Sequence, residues 1–167
     1  MITLGKRIVL AAVAAATTVA VTGCGNPAAT AGGGQQQQQK PSQQEITSLF
    51  GEWNTSLSTL DPQKVADRYA PNAVLLPTVS NKVRANRADI VDYFQHFLEN
   101  HPRGEIMESH VTVLDEDDAI DAGTYRFFLT TAGVERTVDA RYTFVYEKID
   151  GKWLIVNHHS SAMPESS

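Results

Sequence analysis

Cysteine and basic residues are scarce in this chain, and both shortages exclude classes of protein. Cys24 is the only cysteine among 167 residues, so the folded part cannot be held by a disulfide framework. Lys and Arg total 14 against 19 Asp and Glu, which gives a net charge of −5. A polybasic surface for nucleic acid or for an anionic membrane is therefore not expected.

Signatures of nucleotide, nucleophile and metal sites are also missing. The chain has no G-x-S-x-G elbow, no P-loop and no dinucleotide fingerprint. His96, His101 and His110 lack the spacing of metal ligands. The acidic run from Asp115 to Asp118 lacks the glycine turn and the trailing glutamate of an EF-hand loop, so a solvated turn is favoured. We expect neither a metal nor a cofactor.

The one long apolar run lies near the N-terminus. The pair Lys6–Arg7 precedes an Ala- and Val-rich stretch at 8–21, which is shorter than the ~20 residues of a transmembrane helix. Gly23 then precedes Cys24, an arrangement that resembles the lipobox of bacterial lipoproteins. The resemblance implies a signal peptide at 1–23, lipidation of Cys24 and an extracytoplasmic place in the bacterial cell envelope, anchored through lipid alone. Ordinary signal cleavage beside an incidental cysteine is the alternative.

Residues 24–44 carry almost no apolar side chains. They include a run of three glycines and a run of five glutamines. Such a composition cannot bury a core, so a flexible tether is predicted. The remaining residues, 45–164, have the length of one small domain.

Within this domain, helical spacing of apolar residues comes first and strand spacing follows. Apolar residues recur at helical spacing from Ile46 to Leu60 and from Ile90 to Leu98. Asp61 and Pro62 are typical of the cap and first turn of a short helix between them, which Pro71 is expected to end. Strands are predicted at 73–76, 105–114, 119–130, 134–148 and 152–161. Three helices followed by an antiparallel meander indicate an α+β fold, with the helices on one face of a curved sheet.

The last predicted strand changes character along its length. After the Asp150–Gly151 turn, the apolar run 153–156 gives way to an asparagine, two histidines and two serines. Side chains alternate along a strand, so the polar end divides between two faces. One face would carry Leu154, Val156, His158 and Ser160, and the other would carry Trp153, Ile155, Asn157 and His159.

The same strand carries a resemblance to a known family. Asp150-Gly-Lys-Trp153, Val156-Asn-His-His-Ser-Ser161 and Pro164 are similar to the end of the calcium/calmodulin-dependent protein kinase II association domain and its small bacterial relatives. These belong to the nuclear transport factor two-like, or SnoaL-like, superfamily, and the Tyr125–Arg126 pair matches as well. The resemblance implies a cone-shaped fold of three N-terminal helices on a curved, mainly antiparallel sheet, with a pocket between them. It also implies that the outer face of the sheet pairs subunits into dimers or rings.

The resemblance also selects candidate site residues. Arg126 matches an arginine that lines the pocket of the association domain, and a buried guanidinium requires a bound anion or an internal carboxylate. Pairing with Glu108 or Asp121 as plain structure is an equal alternative. A second pocket arginine of the family falls at Phe144 here, which favours a mixed, aromatic pocket. The predicted pocket residues are Arg126, Tyr142, Tyr146, His158 and Ser160, and the predicted subunit interface holds Trp153, Ile155, Asn157 and His159.

Two functions compete on this basis. The first is a non-catalytic module that self-associates and binds a small, anionic or aromatic ligand. The second is an isomerase or cyclase, which needs a base and a group that stabilises an enolate oxygen. His158 is a candidate base and Tyr142 a candidate stabilising group, while Glu108 and Asp121 are carboxylates whose direction strand parity leaves open. The sequence does not identify a carboxylate that necessarily faces the pocket, so the first function is favoured.

Overall fold

A serine cap sets the start of the first helix. In the structure, a computed structural model that describes residues 39–164, α1 runs from Gln43 to Ser58. The Ser42 hydroxyl accepts a hydrogen bond from the amide of Glu45 at 3.1 Å. The helix therefore takes in the last two residues of the predicted tether. Cys24 and the predicted signal peptide lie outside the described residues.

Two further helices follow in the predicted order. α2 spans Pro62–Ala66 behind the cap Asp61, and α3 spans Arg87–Phe97 behind the cap Asn86. In both cases the cap side chain accepts a hydrogen bond from an amide of the first helical turn. A 3₁₀ turn at Leu98–Asn100 continues α3. Within the described residues, no helix is both long and apolar enough to cross a membrane.

Five strands form one mixed sheet in the order β1-β5-β4-β3-β2. Their bounds are Tyr69–Leu76 for β1, Arg103–Val113 for β2, Asp118–Thr131 for β3, Val134–Ile149 for β4 and Lys152–Ala162 for β5. β2 to β5 form an antiparallel meander, and β1 pairs parallel to β5. The predicted α+β class, with helices packed on a mainly antiparallel sheet, is confirmed.

β1 begins earlier than predicted and is interrupted. Tyr69 pairs with Ile155, and the next pair starts at Val74, so residues 70–73 leave the ladder. Pro71, which has no N–H to donate, lies in this unpaired part. The prediction that Pro71 ends the second helix is wrong, because α2 ends well before it and β1 contains it.

β5 carries a bulge at Val156. Tyr146 of β4 pairs with Ile155, and the adjacent Val145 pairs with Asn157, which leaves Val156 without a partner on β4. A bulge inserts one residue into the alternation of a strand, so side chains on either side of it change parity. The two halves of β5 therefore follow different alternation patterns.

Because of the bulge, two residues of the predicted subunit interface lie in the core instead. Trp153 and Ile155, before the bulge, are buried on the inner face, and so are His158 and Ser160 beyond it. Trp153 also donates a hydrogen bond from its indole to the Glu45 carboxylate on α1 at 3.0 Å. The prediction that Trp153 and Ile155 face a partner subunit is wrong, because both side chains belong to the core.

The inner face of the sheet and the helices enclose an aromatic core. Trp53 of α1 is 2% exposed and packs edge-on against Phe144 of β4, with ring centroids 5.5 Å apart. The largest fully buried side chains include Trp53, Tyr125, Tyr146, Phe94 and Phe144. This aromatic packing holds α1 and α3 over the sheet at the polar end of β5.

Gly123 marks the closest approach of β3 to β2. A Cβ at this position would lie 1.9 Å from the backbone oxygen of Glu108, beside a register break in β2. We expect Gly123→Ala to lower the free energy of unfolding by about 1–3 kcal/mol or more, because the backbone must move.

Gly51→Ala on α1 is the matched control for this substitution. Nothing lies within 4 Å of a Cβ added at Gly51, so the helix should gain about 0.5–1 kcal/mol. Urea unfolding measures both variants. Equal midpoints for Gly123→Ala and Gly51→Ala would contradict the close approach of the strands.

Candidate functional site

A pocket lies between the helices and the inner face of the sheet. Its empty space, counted out to the mouth, is about 450 Å³. Aromatic side chains dominate its wall: Trp53, Tyr93, Phe94, Phe97, Tyr125 and Phe127. The polar side chains of the wall are Thr78, His158 and Ser160. The loop after β1 supplies Thr78, and the polar end of β5 supplies the other two.

His158 is held by a hydrogen-bond chain that fixes its tautomer. Its Nδ1 lies 2.9 Å from the hydroxyl of Tyr69, and that hydroxyl accepts a hydrogen bond from the indole of Trp53 at 3.1 Å. An Nδ1–H donated to the Tyr69 oxygen would leave the buried Tyr69 hydrogen without a partner among the described residues, so we assign that hydrogen as donated to Nδ1. The neutral imidazole then carries its hydrogen on Nε2, an atom without a hydrogen-bond partner among the described residues.

Burial keeps His158 neutral. The imidazole is 3% exposed and stacks on Phe144, with ring centroids 4.1 Å apart. Desolvation lowers the pKa of His158 to about 3, and the charge of His159 acts in the same direction. At neutral pH the side chain is therefore a hydrogen-bond donor through Nε2 and a very weak base.

Ser160 joins three hydroxyl groups in a second chain. The Tyr125 hydroxyl donates to Ser160 Oγ, and Ser160 shares a further hydrogen bond with Thr78. Burial raises the pKa of Tyr125 well above its usual value, so the phenol stays protonated. Parity along β5 placed His158 and Ser160 inside, and both lie in the pocket wall; a role in ligand binding stays a prediction.

A separate polar cluster surrounds Asp121 on β3. Its Oδ1 accepts hydrogen bonds from Ser109 Oγ at 2.7 Å and from the Tyr142 hydroxyl at 3.1 Å. Asp121 is completely buried, and its Oδ2 has no partner in the part of the chain that the structure describes. Burial raises the pKa of Tyr142 and of Tyr146, and the charge of Asp121 adds to both shifts.

The two tyrosines that were predicted to line the pocket interact with Asp121 instead. Tyr142 and Tyr146 lie on the inner face, as their alternation predicted, but neither lines the pocket wall. Of the two candidate carboxylates, Asp121 points inward, whereas Glu108 is exposed and pairs with His110 at 2.8 Å. The predicted pocket role of Tyr142 and Tyr146 is therefore not supported by their position.

Arg126 lies on the opposite face of the sheet from the pocket. Its guanidinium makes two hydrogen bonds to the Asp139 carboxylate, Nε to Oδ1 at 2.6 Å and Nη2 to Oδ2 at 2.8 Å. Asp139 is its cross-strand neighbour on β4, and the guanidinium holds the pKa of that carboxyl below its usual value. The prediction that Arg126 lines the pocket is wrong, because Tyr125 occupies the inner position and Arg126 the outer one.

Two predicted interface residues remain to be placed, and two residues of the site were not predicted. Asn157 lies on the outer face partly buried, and His159 lies there exposed; their predicted interface role stays a prediction. Sequence reasoning missed Tyr69 and Tyr125 as site residues. The apolar alternation at 125, 127 and 129 could have found Tyr125, whereas the interruption of β1 that places Tyr69 leaves no clear pattern in the sequence.

Metal binding has no support in the geometry of residues 39–164. Across that range, no group of three or more His, Cys, Asp or Glu side chains is arranged to hold a metal ion. The polar groups of the pocket are hydroxyls and one imidazole, which suit hydrogen bonding to an organic ligand better than the coordination of a cation.

Helices packed on a curved sheet around an internal pocket define the nuclear transport factor two-like class. A structure from Streptomyces avermitilis, provisionally named as a dehydratase of the NTF2-like family, has a TM-score of 0.64 at 13% identity. That alignment covers 72% of this chain and 95% of the other, so the two share the fold. The comparison with curated proteins gives no match.

Within this fold, the chain can be assigned to one particular family. A family model for the calcium/calmodulin dependent protein kinase II association domain matches residues 42–164, and the chain belongs to this family. A Xanthomonas campestris structure, provisionally named as such a domain, is 57% identical with a TM-score of 0.74, covering 76% of this chain and 91% of that one. The association domain of the C. elegans kinase has 15% identity and a TM-score of 0.59, over 71% of this chain and 94% of that one. The resemblance seen in the final strand is confirmed.

The neutral state of His158 makes stability depend on pH. The unfolded imidazole binds a proton below about 6.5, and the folded one only below about 3. Between these values the unfolded state binds more protons, so stability is full above pH 6.5 and falls as the pH falls. The expected slope is ~1.4 kcal/mol per pH unit for this one group.

Comparison of two histidine variants isolates this slope. Urea unfolding at pH 7.0, 5.5 and 4.5 should show a smaller loss of stability on acidification for His158→Gln than for the wild type. His159→Gln, at the exposed neighbouring position, should keep most of the wild-type slope. Parallel pH profiles for the wild type and His158→Gln would mean that the imidazole is protonated in the folded protein.

Proposed function

We propose that this protein is a non-catalytic association module that is anchored through lipid at Cys24 in the extracytoplasmic cell envelope. In this proposal the domain self-associates through the outer face of its sheet and holds a small ligand in the inner pocket. Membership of the association-domain family supports self-association. The sequence before residue 25 supports the anchor and the location.

The observation that carries the association proposal is a partly exposed patch on the outer face of the sheet. We call the side chains of Ile120, Ala122, Thr143, Val145 and Asn157 the outer patch. They are neighbours across β3, β4 and β5 in register, and all are only partly buried. The helices pack on the other face of the sheet. A weakly polar centre with charged residues around it is the usual composition of a subunit interface.

Charged residues surround the outer patch, as is usual at the rim of a subunit interface. Arg126 and Asp139 form their ion pair on this face, and Arg141, Glu147 and His159 are exposed beside it. Charged side chains are depleted in the centre of interfaces and tolerated at the edge. The outer patch is therefore better suited to a second copy of the sheet than to a strongly charged partner.

The chemistry of the pocket favours binding over catalysis. A general base works best when its pKa lies near the working pH, and burial lowers the pKa of His158 to about 3. The buried carboxylate of Asp121 already accepts two hydrogen bonds and does not line the pocket. Neither group is placed to abstract a proton from a ligand in the pocket.

An isomerase- or dehydratase-type enzyme is the second candidate. The buried Asp121–Tyr142 hydrogen bond favours it, since an isomerase needs a carboxylate base and a group such as a phenol that stabilises an enolate oxygen. The NTF2-like structure from S. avermitilis carries a provisional dehydratase name. Exchange of the α-hydrogens of a bound ketone for deuterium, lost in Asp121→Asn, would favour the enzyme over the module.

Association through the outer patch predicts the effect of a charge at its centre. Light scattering at micromolar concentration should show a dimer or larger ring for the chain that begins at residue 25. Val145→Arg should shift it to a monomer with nearly unchanged thermal stability, because the side chain points away from the core. Thr47→Arg, exposed on α1, should leave the assembly intact. A monomeric wild type, or assembly of Val145→Arg like the wild type, would exclude this surface.

Lipid anchoring predicts a partition that depends on one residue. The full chain made in a bacterial host should enter the detergent phase of a Triton X-114 separation. Cys24→Ser should move it to the aqueous phase, because a thioether-linked lipid can no longer form. An equal distribution of the two proteins would reject the anchor and favour ordinary signal cleavage.

A further inference from the structure

Charge is missing from the wall of the pocket. Of the described residues that line it, none carries a charge at neutral pH, since burial keeps His158 neutral. Arg84 does not line the pocket: its guanidinium lies 5.8 Å from the ring centroid of Tyr93 and is paired with Asp92. A carboxylate that entered this pocket would lose its hydration without gaining a counter-charge.

Hydrogen-bond donors are nevertheless left over in the wall. His158 lines the wall, and its Nδ1 is engaged by Tyr69, which does not; we take the opposite edge of the ring, which carries Nε2, as the edge that meets a ligand. Its N–H is buried without a partner in the described part of the chain. A buried unpaired donor costs about 1–3 kcal/mol, which a ligand oxygen would relieve.

The hydroxyl chain leaves a second donor. The Tyr125 hydrogen is used by Ser160, and one hydrogen is shared between Ser160 and Thr78. Three hydroxyls therefore leave one hydrogen free, on either Ser160 or Thr78. With His158, the wall offers two donors and no cation.

The shape of the wall favours flat ligands. Tyr93 and Phe97 stack with an interplanar angle of 15°, and Phe127 meets Phe97 edge-on at 88°. Such rings leave faces and edges that accommodate another planar ring.

From these features we infer that the pocket takes an uncharged, planar aromatic compound with a carbonyl oxygen, which accepts hydrogen bonds from His158 Nε2 and from the Ser160–Thr78 pair. This inference rests on the proposed ligand-binding role of the pocket and goes further by naming the class of ligand. It departs from the anionic ligand that Arg126 suggested from sequence, because Arg126 lies on the other face of the sheet.

Three ring compounds of similar size separate charge from hydrogen bonding. Acetophenone has a carbonyl and no charge, benzoate has a charge, and ethylbenzene has no acceptor. In an NMR titration of the full chain with labelled histidine, acetophenone should bind most tightly and shift the ring nitrogens of His158. Ethylbenzene should bind about fivefold more weakly for each of the two hydrogen bonds lost, and benzoate at least about tenfold more weakly for its unpaired charge.

His158→Phe tests the anchoring atom. It keeps an aromatic ring against Phe144 but removes the N–H, so the preference for acetophenone over ethylbenzene should fall about fivefold, to what the Ser160–Thr78 donor alone supports. His159→Phe, at the exposed neighbour, should keep the wild-type preference. Should His158→Phe fail to fold, the wild type carries the test, because acetophenone should shift the Nε2 resonance of His158 and ethylbenzene should not.

The outcomes distinguish this inference from the proposed function. Benzoate binding as tightly as acetophenone, with shifts at His158, would leave a ligand pocket in place and overturn the uncharged class. An unchanged preference in His158→Phe, or the absence of an acetophenone-induced shift at His158 Nε2, would overturn the His158 donor. If no compound binds while light scattering still shows assembly, the ligand-binding role fails together with this inference and the association role stands.

Discussion

A chain of hydrogen bonds between three side chains joins α1 to the neighbouring strands β1 and β5. Trp53 in α1 donates to Tyr69 in β1, and Tyr69 donates to His158 in β5. All three are buried, so loss of the middle hydroxyl would leave an unpaired indole N–H and an unpaired imidazole nitrogen. The position of β1 beside β5, the tautomer of His158 and the donor offered to the pocket all depend on this one chain.

Stacked aromatic rings separate the two polar sites of the interior, one at His158 and one around Asp121. Phe144 stacks on His158 at 4.1 Å and on Tyr146 at 5.6 Å between ring centroids. Tyr146 and Tyr142 belong to the cluster around Asp121. An acid–base pair needs groups within hydrogen-bond reach, and the Phe144 ring lies between the imidazole and the carboxylate. The interior therefore has two separate polar sites rather than one catalytic constellation.

The sequence predicted those features whose signal is local. The helix cap at Asp61 and the tight turn at Asp150 need only a few adjacent residues, and each appears where expected. The bulge at Val156 has no such signal, because every residue from 152 to 162 fits a regular strand as well. Arg126 shows a different limit: its alternation was clear, but the choice of face came from a family match instead of from the apolar neighbours at 125, 127 and 129.

The interruption of β1 has a consequence for how copies of this domain can meet. β1 is an edge strand, and an edge with free N–H and C=O groups invites another chain to add a strand. Here the run is broken at residues 70–73, Pro71 offers no donor, and Leu75 already exchanges both backbone hydrogen bonds with Arg84. The edge is thereby protected against strand addition, and face-to-face contact is the route of assembly that this side of the sheet leaves open.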